Sequence, residues 1–262
     1  LKSLGANGKA IQSKDPFSQY DASGKWLGSL QEVAVGQMYK VQMANPAALS
    51  LIGKLVDPAQ TPITIAKGSN WIGLNTNYYL SPNEAFAGLE PENGDMVKSQ
   101  SAFAIYMDYE WVGNLNALTP GNGYLYKSKA DATKTFTYPK SSAPRSKAPM
   151  KADDEQEHKY ESCSINKYEG NMNIIAQVWK DGKTVECEIA VFDSNGECRG
   201  SELSMYDNNL VFLTIQGEGE GEPMTIRVVY TENGNVCDQL IDQVVYYKND
   251  EVIGKVSKPM LI

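Results

Sequence analysis

Residues 93–115, NGDMVKSQSAFAIYMDYEWVGNL, decide the fold because their pattern of aromatic residues and glycines occurs twice in the chain. Residues 7–30, NGKAIQSKDPFSQYDASGKWLGSL, form the other copy. At an offset of 86 the identities are Asn7, Gly8, Ser13, Phe17 and Tyr20 with Asn93, Gly94, Ser99, Phe103 and Tyr106. After a one-residue gap near Gly24, the offset of 85 matches Trp26, Gly28, Leu30, Gly36 and Tyr39 with Trp111, Gly113, Leu115, Gly121 and Tyr124. Residues of these types set cores and turns, so we infer an internal repeat.

The second copy predicts one short helix among strands. Ser81 is an N-cap, Pro82 takes the first helical position and Glu84 completes a capping box, while Gly88 limits the helix to about two turns. Strands are predicted at 70–73, 95–99, 102–107, 110–113, 122–128 and 134–138. The first copy has no counterpart of the strand and helix before its Asn-Gly turn. We therefore expect Leu1 to fall inside a module, and the first copy to be less ordered or packed on a neighbour.

Composition shifts divide the chain into four parts. We predict a truncated first β repeat at 1–69, a complete second repeat at 70–138, a flexible linker at 139–158 and a β-sandwich, Ig-like domain at 159–262. The linker is rich in proline, serine and mixed charge. Strands in the last part are predicted at 172–179, 185–192, 210–216, 224–230, 243–248 and 252–256, separated by Asn-Gly and Asp-Gly turns. The predicted fold class is mainly β.

Charge is placed unevenly along the 262 residues. The net charge of −8 comes from residues 159–262, which hold 9 basic and 17 acidic residues. With no basic stripe, a nucleic-acid or anionic-membrane partner is not expected. No apolar run approaches the ~20 residues that span a bilayer, so we expect no membrane insertion by this segment.

Catalytic and metal chemistry has few candidate residues. The only histidine is His158, in the predicted linker, so His-dependent catalysis or metal binding is not expected in the folded parts. No cysteine pair has CxxC spacing, and one or two disulfides, in three possible pairings, or buried free thiols remain open. The four cysteines are Cys163, Cys187, Cys198 and Cys237.

Two acidic loops are candidates for a catalytic carboxylate pair or a calcium site. Glu218, Glu220 and Glu222 alternate with glycine, which predicts a mobile, solvated loop rather than a fixed carboxylate pair or a calcium cage. Residues 193–197, DSNGE, lack the ligand spacing of an EF-hand and predict a turn. We therefore predict no enzyme activity, no cofactor and no metal site.

Aromatic residues are the remaining ligand candidates. Trp26, Trp71 and Trp111 could stack on sugar rings, but the repeated Trp26 and Trp111 are expected to be core anchors at equivalent, mostly buried positions. Tyr78, Tyr79 and Tyr109 lie outside the repeated identities, which makes them the better ligand-facing candidates.

The repeat, written N-G-D-x-V-K-S-Q-x-x-F-A-x-Y-x-x-x-x-W-V-G-x-L-x-x-L-x-P-G-x-G-Y and running from Asn93 to Ser128, resembles one found in exported proteins of Bacteroidetes. The stretch from 62–65 to 70–73 resembles its connector. The last part of the chain is similar to a domain that often follows this repeat, with matches at 172–178, 192, 197–200, 212–215 and 253–254. The first copy departs from the pattern at Gln37 and Met38, where the second has Asn122 and Gly123.

The resemblance implies location and architecture, and it supplies no catalytic residues. It implies an exported protein at the cell surface or outside the cell. We expect a non-catalytic structural or adhesive segment of a larger surface protein; the alternative is a glycan-binding module of a polysaccharide-handling system. The expected partners are other domains of the same protein, a glycan, or a host or cell-surface protein.

Overall fold

A computed structural model describes residues 3–50, 52–140 and 157–262. The chain is mainly β, with 45 % strand and 4 % helix, which confirms the predicted fold class; the Ig-like assignment stays a prediction. Most of the predicted linker, residues 141–156, lies outside the described residues. The described residues hold one α-helix, α1 (Pro82–Ala85), and two 3-10 turns, Gly5–Asn7 and Pro58–Gln60.

The strands follow in chain order. They are β1 (Gly8–Gln12), β2 (Phe17–Tyr20), β3 (Trp26–Gly28), β4 (Lys40–Met43), β5 (Ile63–Ile65), β6 (Gly68–Gly73), β7 (Met96–Lys98), β8 (Phe103–Met107), β9 (Glu110–Gly113), β10 (Gly123–Ser128), β11 (Lys134–Phe136), β12 (Gly170–Gln177), β13 (Trp179–Lys180), β14 (Lys183–Thr184), β15 (Cys187–Phe192), β16 (Cys198–Leu203), β17 (Val211–Gly217), β18 (Pro223–Glu232), β19 (Asn235–Tyr246), β20 (Val252–Ile253) and β21 (Met260–Leu261).

The chain forms two compact units. The first contains residues up to Ser99 and the stretch that follows from Ala104, so both repeat copies belong to one unit. The second contains the C-terminal part of the chain together with Gln100–Phe103. The prediction divided the chain near residue 139 and placed this four-residue stretch with the second repeat, whereas it groups with the second unit.

Within the first unit, the repeat offset relates two sheets of the same strand order. One sheet has the order β3-β2-β1-β4, and the other has β9-β8-β7-β10-β6. Tyr20 faces Trp26 across β2 and β3, as Tyr106 faces Trp111 across β8 and β9. The pairing of β1 with β4 corresponds in the same way to that of β7 with β10, because Ile11 pairs with Val41 just as Val97 pairs with Tyr126.

Turn details repeat as well. The Tyr39 hydroxyl accepts a hydrogen bond from the Ala34 N–H at 2.7 Å, and the Tyr124 hydroxyl accepts one from the Thr119 N–H at 2.6 Å. Gly28 has φ 149° and Gly113 has φ 153°. A side chain is strained at such angles, which explains glycine at both positions.

Helix α1 starts as predicted but is shorter. The Ser81 hydroxyl accepts from the Glu84 N–H at 3.3 Å, and the Glu84 carboxylate accepts from the Ser81 N–H at 2.9 Å, which completes the capping box. Phe86 already leaves helical geometry, so α1 has one turn where two were predicted. The turn places the Phe86 ring in the core of the second sheet.

The first copy packs on the second through β6. Gln37 forms a β-bridge with Ile72, and the Gly73 N–H donates to the Gly36 carbonyl at 2.9 Å. A Cβ on Gly73 would lie 2.5 Å from the Gln37 carbonyl oxygen, so glycine permits the close approach. The expectation that the first copy packs on a neighbour is confirmed.

The second unit has two four-stranded sheets around a shared core. One joins β17, β12, β20 and β21, and the other has the order β16-β15-β18-β19. Buried residues from both sheets form the core: Met172, Ile174, Ala176, Val178, Cys187, Ile189, Val191, Val211, Leu213, Ile215, Met224, Ile226, Val228, Val245 and Tyr247. Four elements were not predicted in full: β16 and the first part of β19, which are rich in polar residues, and β14 and β21, which are only two residues long.

No helix in the described ranges combines the length and the apolar character needed to cross a membrane.

Candidate functional site

Trp111 belongs to a buried aromatic cluster and not to a displayed platform. Its side chain is 8 % exposed, and its ring centroid lies 5.2 Å from that of Phe86, 5.4 Å from Tyr106 and 5.9 Å from Tyr126. Such tilted and edge-on contacts add stability beyond burial. The predicted core role of Trp111 is confirmed.

Trp26 and Trp71 are less enclosed. Trp26 is half-buried; its indole lies 5.5 Å from the Tyr20 ring and covers Gly8, where a Cβ would come within 2.8 Å of it. The predicted equivalence of the two positions is confirmed, since Trp26 and Trp111 pair with Tyr20 and Tyr106 in the same register. Trp26 is less buried than Trp111, and no ring corresponding to Phe86 contacts it in the described chain. Trp71 is also half-buried and carries the Lys40 ammonium 5.3 Å from its ring centroid.

The three tyrosine candidates lie in different environments. Tyr78 is buried, and its hydroxyl donates to the Pro139 carbonyl at 2.6 Å. Tyr79 is half-buried, whereas Tyr109, in the turn between β8 and β9, is 91 % exposed. Tyr109 has φ 71°, so the turn holds it in a left-handed conformation. Of the three, only Tyr109 presents most of its ring to solvent.

Tyr78 lies in the wall of a cleft of about 300 Å³ in the first unit. The lining residues are Leu55, Val56, Asp57, Pro58, Asn77, Tyr78 and Lys140. Lys140 forms an ion pair with Asp57 at 3.1 Å. Hydrogen bonds from Lys140 and from the Ala59 N–H hold the pKa of Asp57 below its ordinary value. The Asp57–Lys140 ion pair and the Asn77 side chain thus form the polar part of the cleft lining.

In the second unit, a buried arginine binds a carboxylate from each of the two acidic loops, 193–197 and 218–222. Arg199 is 5 % exposed, and its Nε donates to Asp193 at 3.0 Å. The other Asp193 oxygen accepts from the N–H groups of Asn195 and Glu197, both at 2.9 Å. Burial alone would raise the pKa of Asp193, but these hydrogen bonds outweigh it and lower the pKa. The predicted turn is confirmed, and its carboxylate is engaged by the protein itself.

The glycine-rich acidic loop exposes Glu218 and Glu220 to solvent, as predicted, and two of its carboxylates accept hydrogen bonds from the protein. Its mobility stays a prediction. Arg199 Nη2 donates to Glu222 at 3.0 Å, and Glu220 accepts from the Asn249 N–H at 3.3 Å. The guanidinium also lies 3.8 Å from the centroid of the Tyr168 ring. A buried guanidinium requires anionic partners, and this requirement ties the loop to the sheet.

A second polar cluster pins residues 158–160 onto the β16-β15-β18-β19 sheet. The carboxylate of the buried Glu188 accepts from the N–H groups of Lys159 and Tyr160, at 2.8 and 3.0 Å. Asp238 accepts from Lys159, Tyr160 and Arg227. Burial alone would raise the pKa of Asp238, yet these donors bring it to about 2. His158 lies beside Glu188, with Nδ1 3.6 Å from the carboxylate.

Over residues 3–50, 52–140 and 157–262, no three His, Cys, Asp or Glu side chains are grouped to hold a metal ion. The buried carboxylates described above each accept hydrogen bonds from backbone N–H groups, from arginine or from lysine.

Sequence reasoning missed the polar lining of the cleft and the partners of Arg199. Asp57, Asn77 and Lys140 are far apart in sequence, so no local signal could have united them. Arg199 did leave a signal, since an arginine two residues after an Asp-Ser-Asn-Gly-Glu turn lies within reach of that turn.

No protein-family model matches the chain, and a search of curated proteins found no significant similarity.

Proposed function

We propose that this chain is a non-catalytic structural or adhesive segment of a larger exported cell-surface protein. The observation that carries the proposal is strand β19. It ends its sheet, so its outer edge pairs with no other strand of the described chain. Four apolar side chains along it are exposed: Val236, Leu240, Val244 and Tyr246, by 48 to 68 %.

A 12-residue edge strand of this character favours pairing with another protein. Natural edge strands are usually shortened or protected by lysine or proline, and β19 contains neither residue. Its backbone can add a strand from a partner, while its apolar side chains bind the side chains of that strand. The partner we infer is therefore a protein segment in extended conformation.

The non-catalytic part of the proposal is supported by the buried ionisable groups. Asp193, Glu188 and Asp238 each accept two or more hydrogen bonds from the protein, which fixes them in structural roles. A general acid or base needs a proton that it can exchange with a substrate.

The test is binding of the fluorescently labelled chain to Bacteroidetes cells. We expect saturable binding that is lost when the cells are treated with trypsin and kept when their glycans are oxidised with periodate. Leu240→Lys combined with Val244→Lys should weaken binding at least tenfold, because both lysines protect the edge. Val33→Lys is the matched control, since Val33 is 55 % exposed but lies in a loop of the first unit. Unchanged binding by the β19 variant would contradict the proposal.

The alternative, glycan binding, is favoured by the cleft beside Tyr78. Sugar hydroxyls pair well with a carboxylate, an ammonium and an amide grouped near an aromatic ring. A glycan array should then show binding that Asn77→Ala and Lys140→Ala both reduce, with Asn208→Ala as a control outside the cleft. Array binding unaffected by the two cleft variants would reject this site.

A further inference from the structure

Two of the four free cysteines, Cys163 and Cys198, are neighbours across a backbone hydrogen bond. The Cys163 N–H donates to the Cys198 carbonyl at 2.8 Å. Standard bond lengths place each Cα about 1.5 Å from its nitrogen and about 2.4 Å from its carbonyl oxygen, so the two Cα atoms are at most about 6.7 Å apart. Disulfide-bonded cysteines have Cα separations of about 4.4–6.8 Å.

Cys198 lies on the face of the sheet on which Tyr160 packs. Cys198 pairs with Phe192 across β15 and β16, so their side chains project to the same side. Tyr160 packs edge-on against Phe192, with ring centroids 5.0 Å apart, and Cys163 follows three residues later. Burial first, and then the nearby Cys163 thiol, raise the pKa of Cys198 to about 11. The segment that carries Cys163 therefore passes close to Cys198.

The strand order excludes the other pairings. Cys187 and Cys237 both pair with Tyr230, from opposite sides of β18, which separates them by two strand spacings of about 4.8 Å each. Cys198 is farther from both, since it lies five residues along β15 from the position of Cys187, about 16 Å. It also lies three strand spacings, about 14 Å, from β19. Cys163, within about 6.7 Å of Cys198, consequently lies beyond disulfide reach of Cys187 and Cys237.

We propose that Cys163 and Cys198 form a thiol-disulfide site, which a small disulfide oxidant closes into one intrachain bond. With glutathione disulfide, Cys163, the less buried of the two cysteines, loses its proton and its sulfur attacks one sulfur of the oxidant. This forms a mixed disulfide and releases one glutathione. The deprotonated Cys198 then attacks the Cys163 sulfur and releases the second glutathione. Two protein thiols are oxidised, one oxidant disulfide is reduced, and the two protons end on the two glutathione molecules.

The disulfide would link the segment around Cys163 to strand β16. It joins positions 35 residues apart (198 minus 163), and such a cross-link stabilises chiefly by restricting the unfolded chain. The Cys187 thiol, whose pKa burial raises to about 12, stays reduced, because no partner cysteine lies within disulfide reach.

The experiment exposes the full chain to glutathione disulfide and then blocks the remaining thiols by alkylation. Digestion with trypsin and Glu-C, which cleaves after Glu188 and so separates Cys187 from Cys198, is followed by non-reducing mass spectrometry. We expect one crosslink, between Cys163 and Cys198, in a monomeric chain with two alkylated cysteines. Cys163→Ser should abolish the crosslink, and Cys237→Ser should leave it unchanged.

Thermal unfolding gives an independent readout. Oxidation should raise the Tm of the second unit by about 5 °C or more, and dithiothreitol should reverse the rise. The rise should be absent in Cys163→Ser, which alters the less buried of the two cysteines and keeps the core intact. Four alkylated cysteines after prolonged oxidation, or a crosslink to Cys187 or Cys237, would overturn the proposal. A disulfide between two chains would overturn it as well.

Discussion

The two sheets of the first unit have the same strand register, but side chains at equivalent positions are buried to different extents. Trp26 and Trp111 take the same place opposite Tyr20 and Tyr106. Trp111 is nevertheless buried while Trp26 is only half-buried. The difference comes from what packs on each sheet and not from the sheets themselves.

Two elements, β6 and α1, increase side-chain burial in the sheet of the second copy. Strand β6 pairs along the whole of β10, and the turn of α1 delivers Phe86 against Trp111 and Tyr126. At the corresponding strand positions, Tyr126 is fully buried whereas Val41 is 37 % exposed. Strand pairing thus depends on a pattern of aromatic residues and glycines, while burial depends on the additional layer.

The largest expected contrast is between the two tryptophans. Trp111→Ala should cost about 3–5 kcal/mol of unfolding free energy because it leaves a large cavity. Trp26→Ala should cost about 1–2 kcal/mol, since part of its ring is already in water. Urea unfolding of the first unit, followed by circular dichroism, measures both. The control is Trp179→Ala, at an exposed position of the second unit, and equal losses for Trp26 and Trp111 would break the comparison.

Glycine substitutions should affect the two sheets alike. Gly28→Ala and Gly113→Ala should each cost about 1–3 kcal/mol, because both residues have a φ that strains any side chain. At Gly28 the new Cβ would also lie 2.3 Å from the Phe17 carbonyl oxygen. Gly53→Ala, with open space around it, is the control for the same unfolding measurement. If only one of the two substitutions lowered the free energy of unfolding, the shared register would not explain the need for glycine.

Phe86→Leu should show that Phe86 is energetically coupled to Trp111 and not to Trp26. We expect a loss of about 1–1.5 kcal/mol, because the change keeps an apolar side chain but removes ring contacts with Trp111 and Tyr126. A double-mutant cycle with Trp111→Ala should give a coupling of about 0.5–1.5 kcal/mol. The same cycle with Trp26→Ala should give none, and a comparable value there would be evidence against the role assigned to α1.

The smallest effect is expected at the helix cap. Ser81→Ala should destabilise the first unit by about 1 kcal/mol, because it removes the acceptor for the Glu84 N–H. Glu84→Gln is the matched control, since glutamine also serves in a capping box, and it should cost less than about 0.5 kcal/mol. If Ser81→Ala has no effect, the start of α1 does not help to hold Phe86 in place.

Local sequence pattern determined much of the fold. All six predicted strands of the second copy match observed ones within two residues, because alternating burial and the turn residues Gly, Asn and Pro act over a few residues. The Ser81–Glu84 cap is equally local. Strands β16 and the start of β19 were missed because they are edge strands whose polar residues face water on at least one side.

Contacts between distant residues were decided only by the tertiary structure. The sequence placed Asp193 in a turn and Glu222 in a loop, but packing around one buried guanidinium brought the two carboxylates together. Likewise the sequence left three disulfide pairings open, and the strand order reduced them to one candidate pair, Cys163 with Cys198. The physical reason is that propensity and hydrophobic alternation act between near neighbours in the chain. Desolvation, ion pairing and thiol proximity depend instead on which strands become neighbours in space.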